Sequence, residues 1–137
     1  MQTERILMVL SGEVALLHEG EAEKVILEPG ESYIFDGGSK TESFGTCVDC
    51  NLMLKAGARG SMSYLSFNKK KPLTVLADAD YIGFYLAEGT AEVELKNDFG
   101  KLLRSDFAMI EKERDEEGFS IWVKGTGTVV AVKIFLE

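Results

Sequence analysis

Imidazole is nearly missing from this chain: His18 is the one histidine in 137 residues. That scarcity excludes the usual centres for Fe, Mn, Ni or Zn, which draw on several imidazoles. Hard cations could still use carboxylates, but nothing in the residue pattern calls for one, so neither a metal nor another cofactor is expected. Cysteine is almost as scarce. Cys47 and Cys50 have redox-motif spacing, but no helix signal follows them to lower a thiol pKa, and with no further Cys and a single His the partners for a zinc site are lacking. They read as structural or incidental thiols. Only 2 prolines and no low-complexity tract argue against disorder. With 15 basic residues against 23 acidic ones, the chain carries a net charge of -8 and a pI near 4.7. Nucleic acid and anionic membranes are poor partners for such a surface. The lysine cluster Lys69-Lys70-Lys71 reads as a solvated linker. No run approaches the ~20 apolar residues of a membrane span. The opening Met1-Gln2-Thr3-Glu4-Arg5 lacks the start of a secretory signal. A cytoplasmic protein is therefore expected, and a homodimer is open to it.

What the chain does have is β patterning. Short apolar or alternating runs cover 6–10, 14–17, 25–27, 33–35, 52–54 and 62–67, broken by Ser11-Gly12, Glu19-Gly20 and Pro29-Gly30. After Pro72 the pattern resumes at 73–76, 81–86, 91–95, 101–103, 107–110, 119–123 and 129–136. Without helical periodicity, these short strands predict an all-β sandwich or barrel. The acidic stretch 111–117 reads as a solvated loop, and Trp122 as core. His18, beside Glu19-Gly20-Glu21, reads as a surface hairpin residue.

The two halves echo each other. Leu10-Ser11-Gly12-Glu13-Val14 returns as Leu86-Ala87-Glu88-Gly89-Thr90-Ala91, and the turn before Tyr33-Ile34 returns 76 residues on as Leu103-Arg104-Ser105-Asp106-Phe107. That order of strands and Gly turns resembles a cupin β-barrel repeated: a first cupin over 1–67, a linker at 68–72 and a second cupin over 73–137.

The polar residues stand out against this frame. Cys47, Asp49, Asn51, Met53 and Lys55 share parity, so on a strand they face one way. Unpartnered burial of such groups costs a few kcal/mol each, on the order of 1–3 from protein data. Either Asp49 and Asn51 satisfy nearby loop amides, or the face grips a ligand. In the second case Lys55 would pair with a carboxylate and Asp49 with an amino-type nitrogen. Tyr33 and Asp36, from the run Tyr33-Ile34-Phe35-Asp36-Gly37-Gly38, complete the candidate set.

Taken together, Arg5 to Gly12, Leu27-x-Pro29-Gly30, Phe35-Asp36-Gly37 and Asp49-x-Asn51-Leu52-Met53 with Lys55 and Gly57 resemble the HutD/Ves family. The likeness spans residues 5–68 in motifs and the remainder in strand order. It rests on a "DFNxMxRxG"-like motif, with Cys50 where an aromatic is usual and Lys55 and Ala56 where basic residues are. The Pro usual before Phe-x-Phe is absent, as is the family's leading Trp-Lys-Asn-Gly-Gly-Gly-like segment, so an N-terminally shortened relative is expected. The resemblance implies an all-β bicupin of two small jelly-roll barrels, associated in some members with histidine utilisation and in others with stress. It further implies a non-enzymatic, metal-independent binding protein for a small carboxylate or amino-acid-like acid. Two other readings stay open: a metal-independent isomerase or lyase using Asp49 and Lys55, and a structural protein whose barrel is filled.

Overall fold

A computed structural model of the protein describes residues 3–38 and 40–137. Among the described residues all regular structure is β, in twelve strands, and no helix is long and apolar enough to cross a membrane. The chain forms two compact units, one reaching to Met62 and including Glu137, the other Ser63–Leu136.

The first unit holds two three-stranded sheets. One has the order β4 (Ser32–Asp36), β1 (Thr3–Gly12), β6 (Cys47–Lys55); the other has β3 (Val25–Leu27), β2 (Val14–His18), β5 (Thr41–Phe44). Alternation places Leu7 and Val9 of β1 in one core with Val14 and Leu16 of β2 and Leu27 of β3. Tyr33, Phe35 and Cys47 pack against that core. Ile6, Leu7, Met8 and Val9 are all buried, which is why β1 reads as an unbroken apolar run.

The six-stranded sheet runs β10 (Asp98–Leu102), β9 (Tyr81–Leu95), β12 (Phe119–Leu136), β7 (Ala58–Phe67), and belongs to the second unit except for the start of β7, before Ser63. β11 (Phe107–Glu111) also pairs with β9, and β8 (Leu73–Ala77) with β12. Ile82, Phe84, Leu86, Ile121, Val123 and Val129 are fully enclosed in its core. The lysine cluster sits in a tight turn where Asn68 and Lys71 bridge, and the Asn68 side chain accepts from the Lys70 and Lys71 amides. The acidic stretch is a loop tied down by Lys96–Glu116 and Arg114–Asp80 ion pairs.

Three expectations need correction. The runs 81–86 and 91–95 are one strand, β9, and 119–123 and 129–136 are one strand, β12. Their glycines bend the ladder without ending it, with a register shift between Thr128 and Val129. Trp122 is 43% exposed, because it alternates with the buried Ile121 and Val123 and faces outward. His18 is 7% exposed, since it continues the inward parity of Val14 and Leu16. The residues that follow it, and not the imidazole, form the solvated turn.

The echo between the halves has a physical counterpart. Gly12 and Gly89 both have positive φ, +77° and +85°. At each, an added Cβ would overlap a carbonyl of the neighbouring backbone, that of Thr46 just before β6 in the first unit and that of Thr126 on β12 in the second. Gly45 and Gly125 answer them from the opposite strand, against Glu13 and Thr90 carbonyls. Gly12→Ala and Gly89→Ala should each lower unfolding free energy by about 2 kcal/mol or more, combining left-handed strain with overlap. Gly57→Ala, at φ +93° with open space around it, should cost only the strain of about 1 kcal/mol. Urea titrations giving equal losses at all three sites would contradict the close-approach account.

Candidate ligand cavity

The site is built on the antiparallel ladder of β1 with β6. Thr3 pairs with Lys55, Arg5 with Met53, Leu7 with Asn51 and Val9 with Asp49. Paired residues share a face, so the odd-numbered residues of both strands face together. On the far side β4 aligns Phe35 with Arg5 and Tyr33 with Leu7. Asp49, Asn51, Met53 and Lys55 are all exposed, while Leu54, facing the other way, is buried.

Arg5 is the centre of the arrangement. Its Nε donates to Asn51 Oδ1 at 2.7 Å, and its guanidinium lies 5.4 Å from the centroid of the Phe35 ring. A guanidinium over an aromatic face gains about 0.5–1 kcal/mol and loses much of its conformational freedom. No carboxylate among the described residues forms an ion pair with it. The anchored group therefore borders a cavity of about 340 Å³ with its remaining N–H donors uncommitted. That volume is within the range of small-ligand sites. Asp49 and Cys47 of β6, Phe35 of β4 and Thr41 and Ser43 of β5 line the same space.

His18, at the end of β2, borders a different hollow, lined also by Leu17, Glu19, Lys40 and Thr41. Its ring lies 5.6 Å from that of Tyr33 and 5.0 Å from that of Phe35. Nδ1 is 2.8 Å from Thr41 Oγ1, whereas the buried Nε2 has no hydrogen-bond partner among the described residues. An unsatisfied buried polar atom costs about 1–3 kcal/mol.

The candidate residues are thus divided. Asp49 borders the Arg5 cavity, Asn51 holds Arg5 in place, and Tyr33 belongs to the aromatic stack. Met53 stands cross-strand from Arg5 and is 60% exposed. Lys55 and Asp36 instead line a second cavity, of about 430 Å³, with Glu4 and Leu54. The Asp36 carboxylate accepts from the Gly38 amide at 2.8 Å, as an Asx turn does. Asp49 and Lys55 are not brought together: six residues along a strand separate them by roughly 20 Å. Arg5, His18, Phe35 and Thr41 were not among the candidates. A signal for the first is legible in hindsight, since Arg5 shares parity with the apolar Leu7 and Val9.

No three His, Cys, Asp or Glu side chains among the described residues come together as metal ligands. A family model for HutD matches residues 1–131. The chain belongs to the HutD family. Solved structures agree on the all-β fold. A conserved protein of unknown function from Pseudomonas aeruginosa PAO1 superposes with a TM-score of 0.82 at 19% identity, covering 97% of this chain and 70% of that one. HutD from Pseudomonas fluorescens SBW25 gives 0.77 at 18% identity, over 98% of this chain and 69% of that one. YhaK from Escherichia coli gives 0.67 at 11% identity, over 99% and 77%. No curated protein matches the sequence. Within this HutD-family chain, the stretch Asp49 to Gly57 forms most of β6 and the turn after it, so the motif strand is also a wall of the cavity.

Cys47 and Cys50 are free thiols, and the Cys47 sulfur is 4.0 Å from Asp49 Oδ2. Burial, followed by the Asp49 carboxylate, pushes both thiols above the ordinary range. Both should remain protonated at neutral pH and alkylate with iodoacetamide more slowly than free cysteine, speeding up only at alkaline pH. Asp49→Asn should accelerate both. Fast labelling at pH 7 by the unaltered protein would show that the local field is not the one described.

Proposed function

We propose that this HutD-family protein is a non-enzymatic, bicupin-type binder of a small amino-acid-like acid, held in the Arg5 cavity of the first unit. The two units would be its two cupins. The observation that carries this reading is the Arg5 guanidinium: anchored through Nε by Asn51, stacked on Phe35, and bordering a cavity with no protein carboxylate paired to it. A fixed guanidinium fork suits a carboxylate, which accepts two parallel hydrogen bonds. Asp49, on the same cavity, suits an amino-type nitrogen. Lys55 is left out, because a small ligand cannot span from one end of β6 to the other. The same separation weighs against Asp49 and Lys55 as an acid–base pair, since proton transfer needs hydrogen-bond reach.

The family context supports the ligand class. By resemblance, the acid would come from histidine breakdown or a comparable pathway.

Thermal denaturation with formate, acetate, glycine and β-alanine tests the reading. Selective binding to the folded state at a hundredfold excess over Kd should stabilise by about 2.7 kcal/mol. Arg5→Met should abolish the shift, and Asn51→Ala should weaken it by releasing the guanidinium. Lys55→Met should leave it intact. A shift that survives Arg5→Met but is lost in Lys55→Met would move the site to the second cavity. No shift with any acid would favour a filled, structural barrel.

A further inference from the structure

The run Leu73-Thr74-Val75-Leu76-Ala77 alternates along β8, with Val75 and Ala77 buried and Thr74 and Leu76 exposed. Among the described residues β8 pairs on one side alone, with β12. Its other side therefore presents unpaired backbone N–H and C=O groups, which proteins commonly protect with a charge, a proline or a bulge. Within β8 there is no charged residue and no proline, and its register with β12 is unbroken.

Opposite charges stand at the two ends of this edge. Just before it, the turn closed between Asn68 and Lys71 exposes Lys69, Lys70 and Lys71. Just past its other end, the loop 112–118 is fastened beside residues 77–80. There the Lys112 amide donates to the Asp80 carbonyl at 2.9 Å, Arg114 pairs with Asp80, and a Cβ on Gly118 would lie 3.3 Å from the Ala77 carbonyl. That loop exposes Glu113, Asp115 and Glu117. None of these three lysines or three carboxylates forms an ion pair among the described residues. The five residues of β8 hold the two groups roughly 16 Å apart.

We propose that β8 is the seam of a homodimer, pairing antiparallel with β8 of a second copy across a two-fold axis. Antiparallel pairing sets the start of each strand beside the end of the other. The lysine turn of each copy then meets the acidic loop of its partner, and the match occurs twice. A parallel arrangement would set lysines against lysines. Copies that each carry a net charge of -8 repel as wholes, so their contact has to be locally complementary. This one is self-complementary, as a two-fold interface requires. Centred on Val75, the pairing puts Leu76 of each copy beside Thr74 of the other. Because Thr74 aligns with Trp122, Leu76 enters the same row as an exposed tryptophan and both gain apolar cover. The surface uses no residue of the Arg5 cavity.

Sedimentation equilibrium of the full chain over a concentration series tests the proposal. The wild type should show a monomer–dimer equilibrium within a series taken to about 1 mM. The triple variant Lys69→Glu, Lys70→Glu, Lys71→Glu should weaken dimerisation by about tenfold or more, because acidic ends then face acidic ends. Glu113→Lys, Asp115→Lys, Glu117→Lys should do the same with the signs exchanged. Mixing the two variants should restore a dimer holding one copy of each, since both contacts become complementary again. In the wild type, amide exchange over residues 73–77 should slow as the protein is concentrated, which tests the seam without relying on any variant. A wild-type chain that stays monomeric throughout, or a dimer that neither triple variant weakens, overturns the proposal. So does a pair of folded variants that fail to associate with each other, or a dimer whose exchange over 73–77 is unchanged.

Discussion

The first unit depends on a close approach of backbones at Gly12. There β1 hands over to β2 and the chain passes from one three-stranded sheet to the other. Because the Thr46 carbonyl, just before β6, occupies the space a Cβ would need, only glycine lets β1 lie this close to the segment entering β6. Leu7 and Val9 then meet Val14 and Leu16 across the gap. The cavity is what remains of that gap where Arg5, Asp49 and Thr41 stand in place of apolar side chains. The same device recurs at Gly89 against Thr126, so each unit has the same kind of corner.

Around that gap, polarity is graded by how each group is satisfied. Asn51 spends its carbonyl on Arg5, and Phe35 offers its face to the same guanidinium. Asp36 spends an oxygen on the Gly38 amide in the turn after β4. Burial, and after it the Asp49 charge, raises the pKa of both thiols. His18 alone is buried with an atom left over.

Much of the architecture was readable from residue order. Alternation at Val14 to His18 and the apolar run at Ile6 to Leu10 mark strands, because side chains in a strand alternate and β1 is buried on both faces. The strand Thr41–Phe44 was not readable: its sequence, Thr-Glu-Ser-Phe, carries little hydrophobic contrast, and it exists because His18 to Ala15 offer it a ladder. Nor was the continuity of β9 and β12, since a glycine that turns a chain and one that merely bends it look alike in sequence.

For the site, the sequence by itself determined that Asp49, Asn51, Met53 and Lys55 share a face, which follows from the period of two. It also determined the family, through motifs that survive at low overall identity. Only the tertiary structure decided which of those residues belong together, because sharing a face says nothing about distance along it. It brought Arg5 onto Asn51 from 46 positions away, and His18 onto Thr41 from 23. Cross-strand register is set by turns and packing across the whole unit, so contacts of that range are invisible to any local reading of the chain.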